Sequence, residues 1–181
     1  MHFSLPLSMP VFEGNEKVYS ERAIGSGQIS TFGGFITKFE QKLSKRLKTH
    51  DAVALNSGTS ALHLAMVILG VEAGDEVICQ SFTFCASANP IVYLGATPIF
   101  VDSELDSWNM SPEILEDAIL GRIAKGKKPK AIVIVHLFGM PAKIEAVLEI
   151  ATKYEIPVIE DAAEAVGSSY NNVNCGAFGD I

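Results

Sequence analysis

The sequence predicts an α/β fold built on a mainly parallel sheet with helices on both faces. Short apolar segments alternate with longer segments of helical periodicity between Val53 and Glu160, which is the pattern of successive strand–helix units. The segment Ala131–His136 is apolar almost throughout, as expected for a parallel strand covered on both of its faces. Together these observations place the fold in the α/β class.

The composition is that of one globular domain. The chain has 181 residues, of which 48% are hydrophobic and 19% are charged, so it can bury a sizeable core and is not expected to be disordered. Its net charge of −7 argues against non-specific binding to nucleic acid or to a membrane surface. That charge still allows a local site for a small phosphorylated ligand.

The cysteines and the first residues indicate the compartment. Three cysteines without a Cys-x-x-Cys pair give neither a disulfide framework nor a zinc signature, which fits the reducing cytoplasm. The opening MHFSLPLSMPVF is broken by Pro6 and Pro10 and lacks a basic start, so we do not interpret it as a signal peptide. No apolar run is long enough to span a bilayer.

The N-terminal part of the chain is predicted to be an arm, residues 1–33, that precedes the main domain, residues 34–181. Glycines punctuate the arm, and one short helix is expected around Glu16–Ile24. A longer helix is predicted for Phe35–Lys48, because its phenylalanines and leucines recur with helical spacing and form an apolar stripe typical of core packing.

The first candidate site is a strand, a turn and a helix in succession. Val53–Asn56 is expected to form a short buried strand, Ser57–Ser60 to turn the chain, and Ala61–Met66 to begin a helix. The first N–H groups of a helix have no internal partner, and the helix dipole is positive there, so this arrangement suits a phosphate group. An ordinary capped helix without a ligand is the alternative.

The same patterns assign the rest of the chain. Further strands are predicted at Glu76–Gln80, Thr97–Asp102, Ala131–His136 and Pro157–Glu160. Further helices are predicted at Cys85–Leu94, after a cap at Ser111, and at Pro141–Tyr154. The residues from Gly167 to Ile181 are rich in Gly and Asn and are expected to form loops.

Three features follow predicted strands and should therefore meet at the carboxyl edge of the sheet, where open α/β folds bind ligands. They are the Ser57–Ser60 turn, the aromatic residues Phe82 and Phe84, and Asp161. A phosphate cradle, an aromatic face and a carboxylate suit a flat, phosphorylated, basic ring such as pyridoxal phosphate. The carboxylate would keep the pyridine nitrogen of that ring protonated.

Each feature has an alternative that the residues leave open. Phe84 could belong to the core, and Asp161 could cap a following helix. Asp161 and Glu164 could share a metal ion, although no further ligand lies nearby in the sequence. Glu160 is expected to point to the face of the strand opposite Asp161, so the two do not form an acid–base pair. The histidines interpreted as structural rather than catalytic are His63 and His136.

Five segments carry a resemblance to a known family. They are Asn56–Leu62 (NSGTSAL), Phe82–Phe84 (FTF), Ala96–Asp102 (ATPIFVD), Val135–Gly139 (VHLFG) and Ile159–Gly167 (IEDAAEAVG). Taken together, they make the chain resemble the DegT/DnrJ/EryC1/StrS family of pyridoxal-phosphate sugar aminotransferases. Within that family the chain looks most similar to transaminases that make 4-amino sugars of the UDP-bacillosamine type. The resemblance implies the N-terminal part of the fold-type I large domain.

The resemblance also implies which residues bind the cofactor. They are Ser57, Gly58, Thr59, Phe84, Asp161 and Glu164. The first three would hold the phosphate, the phenylalanine would stack on the ring, and the aspartate would pair with the pyridine nitrogen. Glu164 would lie near the ring hydroxyl, at a position where relatives often have Gln or His.

The family pattern extends beyond this sequence. Relatives are about twice as long, and the resemblance places their Schiff-base lysine in a Ser-Phe/Tyr-Asn-x-x-Lys motif beyond Ile181. The last lysine here, Lys153, does not match that motif. The chain is therefore expected to be the N-terminal half of a larger protein, with its domain truncated before the last strands, and to be inactive alone.

The activity implied for the complete protein is transfer of an amino group from glutamate to a keto carbon of a nucleotide-linked sugar, in amino-sugar or surface-glycan biosynthesis. A homodimer is expected, because the family active site uses residues of a second subunit. Two alternatives stay open: a dehydratase of the same family with His in place of the lysine, and a short binding module without chemistry. A nicotinamide-binding domain is disfavoured, because the glycine fingerprint is incomplete.

Overall fold

The computed structural model describes residues 9–181. The start of the predicted arm, and with it most of the segment considered as a signal peptide, lies outside the described residues. The chain divides into two compact units. The first contains the residues up to Lys45 together with His50–Ala54, and the second contains Arg46–Thr49 together with Leu55–Ile181. The division expected at residue 33 stays a prediction.

Two helices dominate the first unit. They are α1 (Glu16–Gly25) and α2 (Gly34–Leu47), the latter ending within the second unit, and both confirm predicted helices. The expected packing of the α2 stripe in a core is wrong, since no residue of α2 is buried. None of residues 9–54 is buried, so this unit offers no apolar core for the stripe to pack against.

A four-stranded sheet organises the second unit. Its strands are β1 (Glu76–Gln80), β2 (Thr97–Val101), β3 (Ala131–Val135) and β4 (Val158–Asp161), in the spatial order β2-β1-β3-β4. All three pairings are parallel, so the carboxyl ends of all four strands lie along one edge of the sheet. The four strands predicted for this part of the chain are confirmed.

The helices of the second unit are α3 (Gly58–Ile68), α4 (Asn89–Tyr93), α5 (Pro112–Ile123) and α6 (Ile144–Tyr154). Ser111 caps α5 as predicted, because its hydroxyl oxygen accepts the N–H of Ile114 at 3.3 Å. The remaining elements are two short 3-10 turns, Cys85–Ser87 and Leu137–Gly139, and an antiparallel hairpin of β5 (Ser169–Tyr170) and β6 (Val173–Asn174).

Successive residues of each strand point to opposite faces, and both faces of the sheet are covered. On one face, Ile78, Ile132 and Val158 belong to an apolar cluster with buried residues of α5 and α6. On the other face, Val77 and Val133 belong to a second cluster with buried residues of α3 and α4. The predicted α/β fold, with a parallel sheet and helices on both faces, is confirmed.

The strand predicted at Val53–Asn56 is wrong. These residues have no regular structure, and Val53 and Leu55 are exposed. A strand requires a neighbouring strand that completes its ladder of hydrogen bonds, and no strand in the described part of the chain pairs with this segment. An apolar sequence pattern cannot show whether such a neighbour is present.

Two helix boundaries differ from the prediction. The helix expected at Cys85–Leu94 is a 3-10 turn followed by α4, because Pro90 has no N–H to donate and its ring would crowd a carbonyl group of the preceding turn. The helix expected from Pro141 begins at Ile144, and the N–H of Ala142 donates to Nδ1 of His136 instead.

A half-buried ion pair lies at the start of β1. Arg122 donates from Nε to Oε2 of Glu76 at 2.6 Å, and a second guanidinium nitrogen contacts Oε1 of Glu76. Glu76 is only 4% exposed, although it carries a charge. The hydrogen bond from Arg122 holds the pKa of Glu76 below its ordinary value.

Replacing Glu76 by Gln is expected to lower the free energy of unfolding by about 1–3 kcal/mol at pH 7, because Arg122 loses its charged partner. Since the folded pKa is lowered, the contribution is present above about pH 4.3 and is lost as the pH falls through the folded pKa. Urea unfolding at pH 7 and in acid measures both effects, with the exposed Glu72→Gln as the control. Equal losses in the two variants would contradict the prediction.

Candidate active site

A pocket opens at the carboxyl edge of the sheet. Its volume is about 320 Å³. Four parts of the chain line it: the start of α3, the segment after β1, the end of β3 and the segment after β4. The lining residues are Gly58, Thr59, Leu62, Thr83, Phe84, Ala86, Val135, Asp161, Ala163 and Glu164. Five of the six predicted cofactor residues therefore lie around one pocket, and the sixth, Ser57, directly precedes Gly58.

The start of α3 forms one end of this pocket. Ser57 caps the helix, because its Oγ accepts the N–H of Ser60 at 3.2 Å and its carbonyl oxygen accepts the N–H of Ala61 at 3.1 Å. The helix begins at Gly58, earlier than expected from Ala61. A side chain built on Gly58 would meet nothing within 4 Å, so open space lies beside the backbone at this helix start. Capping and anion binding are therefore compatible in one structure.

Phe84 forms an aromatic wall of the pocket. It follows β1, lines the pocket and is 76% exposed, so the alternative that it belongs to the core is wrong. A large aromatic side chain exposed beside a cavity can offer its face to a planar ligand. Phe82, two residues earlier, lines a neighbouring cavity instead.

Asp161 ends β4 and reaches the pocket with its carboxylate held in place. Its Oδ2 accepts the hydroxyl of Ser87 at 2.7 Å, and its Oδ1 accepts the N–H of Ala163 at 3.3 Å. Ser87 Oγ is in turn 2.9 Å from Thr83 Oγ1. No helix follows Asp161, so the alternative of a helix cap is wrong, and the residue makes a turn contact instead.

Ser87 is a site residue that the sequence did not reveal. It is 1% exposed, and it joins the segment after β1 to the carboxylate at the end of β4. The only available signal was that its segment follows a strand at the same edge of the sheet. A lone serine is too common for that signal to single it out.

Glu160 and Asp161 point in opposite directions, as predicted for neighbours on a strand. Glu160 Oε1 accepts Nε2–H of His136 at 2.7 Å, and Oε2 accepts the N–H groups of Phe178 at 2.8 Å and Gly179 at 3.0 Å. Gly176 donates a further N–H to Oε1. Burial raises the pKa of Glu160, but these hydrogen bonds outweigh it and leave the pKa below its ordinary value.

His136 has the structural role expected for it. It is fully buried, and its Nδ1 accepts the N–H of Ala142 at 3.0 Å, which leaves Nε2 to donate to Glu160. Cys175 lies close to this pair, and its sulfur is within 4.8 Å of their ligand atoms. Because both ring nitrogens of His136 are engaged, the three residues form a structural cluster rather than a metal site.

Glu164 lines the pocket and contacts a second loop at its rim. Its Oε2 accepts the N–H of Phe138 at 2.7 Å. The metal site considered for Asp161 and Glu164 gains no support, because the carboxylate of each already accepts protein donors. Within residues 9–181 the pair is also not part of a cluster of three ligands. His63 packs edge-to-face against Tyr93, which agrees with a structural role.

The fold and the pocket define an α/β protein with a ligand-sized cavity at the carboxyl edge of a parallel sheet. Residues 12–181 match the model of the DegT/DnrJ/EryC1/StrS aminotransferase family, and the chain belongs to this family. Among the described residues, no helix is both long and apolar enough to cross a membrane.

Relatives from several bacteria show the same similarity. The chain is 45% identical over 179 residues to EpsN of Bacillus subtilis (strain 168). EpsN is named as a pyridoxal phosphate-dependent aminotransferase. It is 44% identical over 177 residues to GDP-perosamine synthase of Escherichia coli O157:H7. These matches cover 99% and 98% of this chain, but only 46% and 47% of the relatives.

A solved structure agrees with the sequence comparison. The crystal structure of a DegT DnrJ EryC1 StrS aminotransferase from Brucella abortus superimposes with a TM-score of 0.85 at 38% identity, over 90% of this chain and 44% of that one. The chain therefore spans about half the length of the relatives that it matches.

Proposed function

We propose that the complete protein is a pyridoxal-phosphate-dependent aminotransferase that transfers an amino group from glutamate to a keto carbon of a nucleotide-linked sugar. The observation that carries the proposal is the convergence of a helix start, an exposed phenylalanine and an oriented carboxylate around one pocket of about 320 Å³. The names of EpsN and of GDP-perosamine synthase support the cofactor and the nucleotide-sugar substrate.

The residues fit this cofactor. The open space beside Gly58 admits a phosphate group to the start of α3, where Thr59 can add its hydroxyl. Phe84 is exposed at the pocket and can cover one face of a planar ring. The chemistry that the cofactor supplies when bound is an electron sink for the carbanion formed at the amino-bearing carbon.

The chain's own residues set the charge and position of that ring. Asp161 holds a proton on the pyridine nitrogen, and Ser87 orients the carboxylate for this task through its 2.7 Å hydrogen bond. Glu164 lies at the rim, where we propose that it neighbours the ring hydroxyl. The described part of the pocket wall includes no lysine, so we propose that the lysine that moves the proton lies beyond Ile181.

The setting of this activity is also a proposal. A homodimer with shared active sites would complete the exposed pocket. The cytoplasm suits the chain, because Cys79, Cys85 and Cys175 are all free thiols. In that compartment the protein would serve amino-sugar or surface-glycan biosynthesis.

Reductive trapping tests the cofactor and the missing lysine together. The native protein, expressed from its complete coding sequence, is incubated with pyridoxal phosphate, reduced with borohydride and digested for peptide mass analysis. We expect a reduced cofactor adduct on a lysine that follows Ile181. Omission of borohydride is the control, because the bond between lysine and cofactor then hydrolyses during digestion.

Other outcomes of this experiment separate the alternatives. Cofactor that binds and withstands reduction without an adduct would favour the dehydratase with His at the lysine position. Failure to bind the cofactor at all would contradict the proposed function and favour a binding module without chemistry. Where the adduct forms, amino transfer is tested directly by the loss of the Schiff-base absorbance of the lysine-bound cofactor on addition of glutamate.

A further inference from the structure

A second cavity of about 500 Å³ lies beside the cofactor pocket. Its walls carry three aromatic side chains together with polar and aliphatic ones: Phe82, Asp106, Ser107, Trp108, Leu137, Phe138 and Met140. Phe82 contacts Trp108 edge-to-face with ring centroids 5.8 Å apart, and it contacts Phe138 in the same way at 6.3 Å. The three rings form one continuous group, which we call the aromatic cluster.

The aromatic cluster is exposed, and two of its members have a strained backbone. Trp108 is 59% exposed at φ 63°, and Phe138 is 70% exposed at φ 51°. The left-handed region is unfavourable for bulky residues and persists only where the surroundings impose it. Within residues 9–181 neither ring gains burial in return. The two large aromatic rings are thus exposed although their backbone conformation is unfavourable, which is typical of a ligand-binding surface.

Buried polar side chains impose this conformation on both loops. Asn109, which is fully buried, donates from Nδ2 to the carbonyl oxygen of Met140 at 2.9 Å and accepts the N–H of Leu137 on Oδ1 at 2.9 Å. Asn109, the residue after Trp108, thereby contacts Leu137 and Met140, which flank Phe138 and Gly139 on either side. The two aromatic residues therefore belong to loops that are tied together.

Glu104 fixes the Trp108 loop from its other side. Its carboxylate accepts the N–H groups of Asp106 and Ser107 at 2.8 Å each, and Lys143 lies 3.0 Å away. Burial raises the pKa of Glu104, but the hydrogen bonds from Ser107, Asp106 and Lys143 outweigh it and lower the pKa to about 2. Glu104 therefore stays charged, and the loop keeps its shape, throughout the physiological pH range.

The aromatic cluster adjoins residues of the cofactor pocket at two places. The N–H of Phe138 donates to Glu164, which lines that pocket, at 2.7 Å. Phe82 lies two residues before Phe84, the aromatic wall of the same pocket. The two cavities are thus near enough to be considered as two parts of one elongated substrate site.

We propose that Phe82, Trp108 and Phe138 bind the nucleobase of the nucleotide-linked sugar. The inference rests on the proposed function, since a nucleotide-linked sugar has its reacting keto carbon at one end and a flat base at the other. Every base has an aromatic face that stacks on aromatic side chains. Asp106 Oδ2 accepts Nζ–H of Lys143 at 2.7 Å, which leaves Oδ1 on the same wall to accept an N–H group from the edge of a base. The aromatic lining and the Asp106 carboxylate suit a base better than a negatively charged phosphate group.

Calorimetric titration of the native protein tests the inference. The probes are GDP and UDP, with inorganic pyrophosphate as the probe that lacks a base. We expect Trp108→Ala to weaken binding of the nucleoside diphosphate by about ten-fold or more and to leave pyrophosphate binding unchanged. The matched control is Leu105→Ala, a truncation in the same loop of a side chain that is 90% exposed and does not line the cavity.

The outcomes are separable from those of the proposed function, because cofactor binding is measured independently by absorbance. Equal nucleotide affinity in Trp108→Ala and Leu105→Ala, with the cofactor bound, would overturn the base site and leave the aminotransferase intact. Dissociation of the oligomer by Trp108→Ala in sedimentation, with unchanged nucleotide affinity, would instead assign the aromatic cluster to a contact with a second copy. Wild-type protein that binds cofactor but neither nucleotide would also overturn the inference.

Discussion

Replacing Asp161 by Asn is expected to lower the rate of amino transfer by about a hundred-fold or more, while the cofactor still binds. Asn fills the same space and can keep the contact with Ser87, which lies 2.7 Å from Oδ2 of Asp161. It carries no charge, however, and cannot hold a proton on the pyridine nitrogen. The proposed electron sink is therefore expected to weaken, whereas the proposed phosphate contacts at the start of α3 are unchanged.

The measurement is a single-turnover reaction of the native protein with glutamate, followed through the absorbance of the bound cofactor. Asp102→Asn is the matched control: Asp102 directly follows β2 at the same edge of the sheet, but it does not line the pocket. We expect the control to react at the wild-type rate. An Asp161→Asn variant that reacts as fast as the control would remove Asp161 from the proposed mechanism.

Much of the cofactor pocket could be anticipated from the sequence, because Phe84 and Asp161 follow strands. In a parallel sheet the residues after each strand lie at one edge, so Phe84 and Asp161 could be brought together without coordinates. The prediction placed Ser57–Ser60 with them through a strand, Val53–Asn56, that the structure lacks, although the start of α3 does reach the pocket. The start of α3 was recognisable from its small and hydroxyl residues. Local patterns of this kind determine which groups reach a given edge, and the structure agrees with them.

The parts that could not be anticipated depend on contacts between distant residues. Ser87 meets Asp161, 74 positions away in the sequence, and nothing local distinguishes it from other serines. The role of Asn109 and the positive φ of Trp108 could not be predicted from the sequence either. The conformation of their loop depends on hydrogen bonds to Met140 and Leu137, about 30 residues away. The prediction of a strand at Val53–Asn56 failed for the same reason. Whether a segment forms a strand depends on a second segment that pairs with it, and its own sequence does not show that segment.

Replacing Glu160 by Ala is expected to lower the free energy of unfolding by about 3–5 kcal/mol at pH 7. The carboxylate accepts Nε2–H of His136 and the N–H groups of Gly176, Phe178 and Gly179, so its removal leaves buried donors without an acceptor. Through the N–H groups of Gly176, Phe178 and Gly179, the carboxylate anchors the C-terminal loop beside β4, the strand that carries Asp161. The variant is therefore expected to lose cofactor affinity as well as stability.

Urea unfolding of the native protein measures the loss, with Glu149→Ala as the control, because Glu149 is an exposed glutamate of α6. The folded pKa of Glu160 is lowered, so its contribution is present above about pH 4.3 and is lost as the pH falls through the folded pKa. The difference in free energy of unfolding between wild type and Glu160→Ala should accordingly shrink in acid, whereas a purely steric role would leave it constant.

A chelator should not affect the stability of the wild-type protein, because both ring nitrogens of His136 already have protein partners. Destabilisation by a chelator would instead assign His136, Glu160 and Cys175 to a metal site.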